Sequence, residues 1–229
     1  MIASYLAELS GALSFDRRLA RRVAREVDDH LREAVAADPS EDRADVERRA
    51  IASFGDPQAL AMQFASVSLA RRTRRASIAV VAAVVAVLMA MKVRVAWYAA
   101  ANWTVSEDAR QLAGTVLAID RFAFWASVIV GLIALFYAGY LRVPTVLQSD
   151  YCRRSRRVVF LCAIAAFSLI VSVISDGVLT ALQLAGESRE AAVIPLASMA
   201  AEFACVGTVT CLIIDTVRRA ARTNALLRG

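Results

Sequence analysis

Lysine is almost absent: Lys92 is the only lysine among 27 basic residues, the rest being arginine, a compositional bias that carries no functional weight by itself. Histidine is nearly as scarce. His30 stands alone, and the chain has no Gly-rich phosphate loop, no HExxH and no GxSxG, so the sequence gives catalysis no support and indicates no cofactor and no metal. The four cysteines form no CxxC, and Cys162, Cys205 and Cys211 lie inside apolar runs, which argues against a disulfide framework or a thiolate metal site. A secretory signal needs an apolar stretch of about 7 to 15 residues near the start. Met1 to Leu13 is instead amphipathic and residues 16 to 58 are heavily charged, so the N-terminus is expected to be neither cleaved nor exported.

What is abundant is apolar surface. Hydrophobic residues make up 59% of 229, and the mean hydropathy is +0.53, against the ~45–50% apolar content usual for soluble domains. A single soluble globule and a disordered chain are both excluded, and the length suits two units. The composition changes at Arg71, Arg72, Arg74 and Arg75. The first 70 residues hold 12 acidic and 9 basic side chains, a net of −3, whereas the net charge of the whole is +6. The expected fold is all-α: a small cytoplasmic helical domain over 1–70, then a four-helix transmembrane domain over 71–229.

Four apolar segments follow the arginines, about 76–100, 122–141, 158–178 and 191–214. Phe122 to Leu141 is uncharged for 20 residues, enough to cross a ~30 Å hydrocarbon core. Arginine in short loops is retained on the cytoplasmic side. Arg71 to Arg75 precede the first span, Arg142, Arg153, Arg154, Arg156 and Arg157 join the second to the third, and Arg218, Arg219 and Arg222 follow the fourth. The other two connections balance Glu107, Asp108 and Asp120 with Arg110 and Arg121, and Asp176, Glu187 and Glu190 with Arg189. Both termini are therefore expected inside, with Trp97, Tyr98 and Trp103 as an interfacial aromatic belt at the outer end of the first span. Arg153 to Arg157 superficially resemble a nucleic-acid patch, but arginines beside every cytoplasmic helix end read as topology signals that also attract anionic lipid headgroups. No direct nucleic-acid binding is expected.

The cytoplasmic segment reads as four helices. Ile2, Tyr5, Leu6, Leu9 and Leu13 recur at helical spacing. Ser14 is the expected cap of a second helix with the stripe Leu19, Val23, Val27, Leu31 and Val35, ended by Asp38-Pro39-Ser40. Ser40 is the expected cap of a third over Glu41 to Ser53, burying Val46, Ala50, Ile51 and Phe54. In Phe54-Gly55-Asp56-Pro57, Gly55 supplies a left-handed stop, Asp56 an N-cap and Pro57 a first-turn residue. The fourth helix presents Leu60, Ala61, Phe64 and Val67 and runs into the membrane.

Tyr5-Leu6 with Leu9, Glu26 four residues before His30-Leu31, and Phe54-Gly55-Asp56-Pro57 followed by Ala61 resemble the bacterial HAAS signalling domain, or permease prefix domain. The resemblance covers roughly the first 70 residues. It departs from the family pattern in the turn Ala37-Asp38-Pro39-Ser40, where a Gly-containing sequence is expected, and in having four spans rather than a full permease, which leaves transport in doubt. The family's module precedes membrane segments and is commonly associated with PadR-like winged-helix regulators. The resemblance thus implies a multi-pass protein of the bacterial plasma (inner) membrane, non-enzymatic and regulatory, whose module binds a cytoplasmic regulator. Tyr5, Leu6, His30, Leu31, Phe54, Gly55 and Pro57 are the candidate partner-binding residues. The alternative is an accessory subunit of a membrane transporter. His30 reads either as a structural histidine bonded to its helix or as a partner-facing one.

Four charges fall inside the apolar segments. Glu202 lies ~16 Å from Ala191, near the bilayer centre, where it must face the bundle interior, pair or stay protonated. It is either a packing acid or one with a proton, ligand or gating role. Lys92, Arg94 and Asp176 share the outer third, where Asp176 pairs with Lys92 or Arg94 unless all three snorkel. Ala82, Ala86 and Ala90, with Ala200, Ala204 and Thr208, form small-residue faces suited to assembly, including with a second copy of the chain.

Overall fold

The computed structural model describes residues 1–39, 42–100, 107–139, 148–184 and 192–226. Ser40, Trp103, Leu141, Arg142, Glu187, Arg189, Glu190 and Ala191 lie outside them. Among the described residues the regular elements are all helices, without strands. The order is α1 (Ile2–Ala12), α2 (Arg17–Ala37), α3 (Arg43–Phe54), α4 (Pro57–Ala100), α5 (Glu107–Gly139), α6 (Gln148–Leu184) and α7 (Val193–Leu226). The last four are each long and apolar enough to cross a membrane. The chain divides into two compact units, one of Met1–Arg71, Val143–Cys152 and Arg218–Gly229, the other of Arg72–Arg142 and Arg153–Val217.

In the first unit, Tyr5, Leu9 and Leu13 of the α1 segment close on Leu19, Val23, Val27 and Leu31 of α2, on Ala50 of α3 and on Ala61 and Ala65 of α4. The apolar stripes meet as their spacing predicts, but two caps differ. Asp16, not Ser14, caps α2: its Oδ1 accepts from the amides of Arg18 and Leu19, both at 3.2 Å. Buried Leu13 ends α1, and a turn through Ser14 and Phe15 delays the next helix, where a carboxylate also complements the helix dipole. Likewise Asp42, not Ser40, caps α3 through the amides of Ala44 at 3.0 Å and Asp45 at 3.3 Å.

The corner at Phe54 to Pro57 forms with one change of detail. Gly55 has φ +78° as expected, but ψ −158° puts it outside the left-handed helical region, in an extended conformation that is essentially restricted to glycine. Its amide donates to Ile51 O at 3.3 Å; Asp56 Oδ2 then accepts from Ala59 N at 2.8 Å, and Pro57 opens α4.

Helix α4 continues for 44 residues. Its buried positions step by three and four within each unit: Ala61, Ala65 and Leu69 form a buried stripe in the first, and Thr73, Ala76, Val80, Ala83 and Val87 one in the second, where half-buried Met91 stands between Val87 and buried Arg94. In the second unit Val80, Ala83, Val84 and Val87 pack with Phe124, Ala134 and Ala138 of α5, Cys162, Ala165, Leu169 and Val173 of α6, and Val206, Val209 and Ile213 of α7. Close approach comes at Gly131, where an added Cβ would stand 3.4 Å from Val80 Cγ1 and 4.0 Å from Ala165 Cβ. The expected small-residue faces behave differently: Ala82, Ala86, Ala200, Ala204 and Thr208 are exposed in the single chain, and Ala90 is half-buried. The bundle closes through other small residues because the buried stripe of α4 passes through Ala83 and Val87 instead.

The connection expected to carry Asp120 and Arg121 is also corrected. Both lie in α5, which begins at Glu107, well before the apolar run, and Asp120 is buried. An apolar window marks the part of a helix in hydrocarbon, whereas its hydrogen bonding continues into polar sequence.

Candidate functional site

The second unit buries a charged cluster. Arg94 of α4 and Glu202 of α7 are each 1% exposed, and Arg94 Nη2 donates to Glu202 Oε1 at 2.9 Å. The same nitrogen pairs with Asp176 Oδ2 of α6, whose side chain is 14% exposed. One guanidinium thus joins three helices. Ser198 Oγ, one turn before Glu202, reaches Ala90 O at 3.0 Å and Glu202 Oε1 at 3.4 Å, tying α7 to the α4 backbone. Beside them, Asp120 of α5 accepts from Ser172 Oγ of α6 at 2.6 Å and lies within electrostatic reach of Arg94 and Glu202.

Of the two pairings open to Asp176, the structure takes Arg94. Lys92 is exposed, two residues and about 200° away around the helix. Arginine suits this position because its planar fork can serve several acceptors at once. Glu202 was assigned a greater depth than Arg94, yet the two touch. Neither their pairing nor Asp120 was read from the sequence. The sequence carries a usable signal: counted from the outer ends of the apolar segments at 100 and 191, Arg94 lies about 9 Å and Glu202 about 16 Å in, a gap that an arginine side chain spans.

At the other end of this unit, Thr73 Oγ1 and Ser155 Oγ lie 3.2 Å apart, buried, and Arg72 pairs with Asp215 at 3.6 Å.

In the first unit the partner-binding candidates separate by accessibility. Tyr5 and Leu31 are buried, and Leu6, Phe54 and Pro57 half-buried. The Tyr5 hydroxyl donates to Gly55 O at 3.2 Å, which locks α1 onto the corner. Burial, and then the nearby carboxylates of Asp56 and Glu8, push the Tyr5 phenol above its ordinary value. Gly55 is exposed, as is His30, whose side chain is 62% exposed with Nδ1 at 3.7 Å from Glu33 Oε2 rather than bonded to Glu26. A shallow groove of about 320 Å³ is lined by Ile2, Val35, Ala36 and Val46 with Arg32, Arg43 and Glu47 at its rim. Arg17, Arg18, Arg21, Arg22 and Arg25 cover the exposed side of the first half of α2.

Asp16 does more than cap. Its Oδ1 serves the α2 amides while Oδ2 accepts from Arg219 Nη1, near the end of α7, at 2.8 Å. A helical module at this end of the chain is what the family resemblance implies.

Residues 4–63 match the HAAS family model. The match ends within the first two turns of α4, so the HAAS segment includes the beginning of the first candidate span. Comparison with the curated proteins and with the solved structures returns no match for the chain. The HAAS match near the N-terminus is thus joined to four helices long and apolar enough to cross a membrane. The HAAS match reaches neither Arg94, Asp120, Asp176 and Glu202 nor Arg219.

Proposed function

We propose that this is a signalling protein of the bacterial plasma membrane, with both termini cytoplasmic, whose HAAS module binds and releases a cytoplasmic regulator of the PadR-like winged-helix type. The supporting observation is covalent continuity: α4 begins inside the HAAS match and runs unbroken to Ala100, so the module and the first span share one helix. Arginines 71 to 75, 153 to 157 and 218 to 222 support the orientation. In this reading the work is done by association, without a chemical step. Exposed His30 and Gly55 and the Ile2 to Val46 groove offer contact surface, while Tyr5 and Leu31 hold the module in shape.

The test is affinity capture with the full chain in nanodiscs. A winged-helix regulator retained by the native protein and lost on His30→Ala supports the proposal. Recovery of no regulator by a folded chain rejects it. The exposed faces of Ala82 and Ala86 and of Ala200, Ala204 and Thr208 favour a second reading, that of an accessory subunit packed against a transporter. Co-purification with a permease or ATPase under gentle extraction would decide for it.

A further inference from the structure

The Arg94 cluster holds more acid than base. Glu202, Asp176 and Asp120 face a single guanidinium, and Arg94 cannot itself be neutralised, so full ionisation would leave two uncompensated negative charges among apolar helices. An uncompensated buried charge costs several kcal/mol. The hydrogen bonds present do not remove that excess: Ser172 serves Asp120, and Ser198 offers one long contact to Glu202 Oε1. Unsatisfied atoms also remain on its two most buried side chains. Glu202 Oε2 and Arg94 Nη1, both on side chains at least nine-tenths buried, have no hydrogen-bond partner among the described residues.

We propose that this cluster is a proton-binding site, in which the carboxyls of Glu202, Asp176 and Asp120 hold and exchange a proton that determines how Arg94 is shared between α6 and α7. The ligand is a proton rather than a metal ion, because the Arg94 guanidinium already places a positive charge against both Glu202 and Asp176 and would repel a second cation. Every helix of the bundle contributes a group. From α4 come Arg94 and the Tyr98 hydroxyl, with Lys92 exposed on another side; from α5 Asp120, followed by exposed Arg121; from α6 Asp176, flanked by Ser172 and Thr180; from α7 Glu202 and Ser198. Asp176 is the least buried of the three acids and is the point of exchange with water.

The consequence is a two-position contact. With both carboxylates charged, Arg94 Nη2 bridges them; with one protonated, the guanidinium is held by the other alone. Because two acids share one cation, the proton belongs to the pair and not to either residue. The proposal does not depend on what the HAAS module binds.

Infrared difference spectroscopy of the full chain in lipid nanodiscs, stepped between about pH 5 and 8, reads protonated carboxyls directly. The expected result is a protonated-carboxyl stretch that gains and loses intensity across the steps. It should be lost or shifted in Glu202→Gln, in Asp176→Asn or in Asp120→Asn, each checked for native helicity and monodispersity. Because Glu202 and Asp176 share Arg94, removing either should move the midpoint of the remaining band. A wild-type spectrum without such a band at any step overturns the proposal, and needs no variant to fold. So does a band that survives all three substitutions unchanged, or one that responds to sodium at fixed pH and not to protons.

Discussion

Asp16 performs two tasks with its two oxygens, and they can be separated. Asparagine caps a helix about as well as aspartate, so Asp16→Asn keeps the bonds to Arg18 and Leu19 and removes the ion pair with Arg219. Alanine removes both. The cap contributes about 1 kcal/mol. The pair, with Asp16 buried and Arg219 29% exposed, contributes about 1 kcal/mol after screening on the arginine side. At 1.4 kcal/mol per factor of ten, Asp16→Asn should reduce amide protection along α2 about 5-fold and Asp16→Ala about 30-fold. Hydrogen exchange with mass spectrometry on the full chain in nanodiscs reports this locally. Arg219→Gln should match Asp16→Asn in size and add nothing when combined with it, as a double-mutant cycle requires of a shared contact. If the two losses simply add, or if Asp16→Ala costs no more than Asp16→Asn, the division of labour argued for Asp16 is wrong.

Three further outcomes are expected. Tyr5 is shifted upward in the folded module, so the stability it confers is fully present below the ordinary phenol value near 10 and is lost as pH rises through the folded value; Tyr5→Phe should abolish this alkaline loss, followed by circular dichroism, at a cost of about 1 kcal/mol for the bond to Gly55. Gly55→Ala should destabilise the module by about 1 to 3 kcal/mol in denaturant titration; since an added Cβ meets nothing within 4 Å, a neutral result would refute the backbone account. Gly131→Val should lower the melting temperature of the bundle by over-packing against Val80 and Ala165, costing about 1 to 3 kcal/mol, whereas Gly131→Ala should be nearly silent.

Local rules were legible in the sequence and distant pairings were not. The Phe54 to Pro57 corner could be read because glycine, an acidic cap and proline each act within a few residues. The stripe Leu19, Val23, Val27 and Leu31 could be read because burial follows a fixed period. Cap positions slipped by two residues, since Ser14 and Asp16, or Ser40 and Asp42, satisfy the same local rule and only the turn geometry chooses between them. The Arg94 to Glu202 bond joins residues 108 apart and the Asp16 to Arg219 pair residues 203 apart, and no pattern within a helix encodes which helices become neighbours. Asp120 was missed for a different reason: hydropathy ends a span at the first charge, whereas a charge that finds Ser172 can be buried.

The unbroken length of α4 makes angle, and not only distance, a property of the protein. Along one continuous helix, residue count fixes the rotation between any two positions at about 100° per residue. One alanine inserted among Arg71 to Arg75 rotates the later residues of α4 by about 100° relative to the earlier ones, while seven inserted residues return them to within about 20°. Regulator binding should therefore vary periodically with insertion length, lost at one residue and recovered at seven; a steady decline with length would mean that α4 acts as a tether and carries no torque.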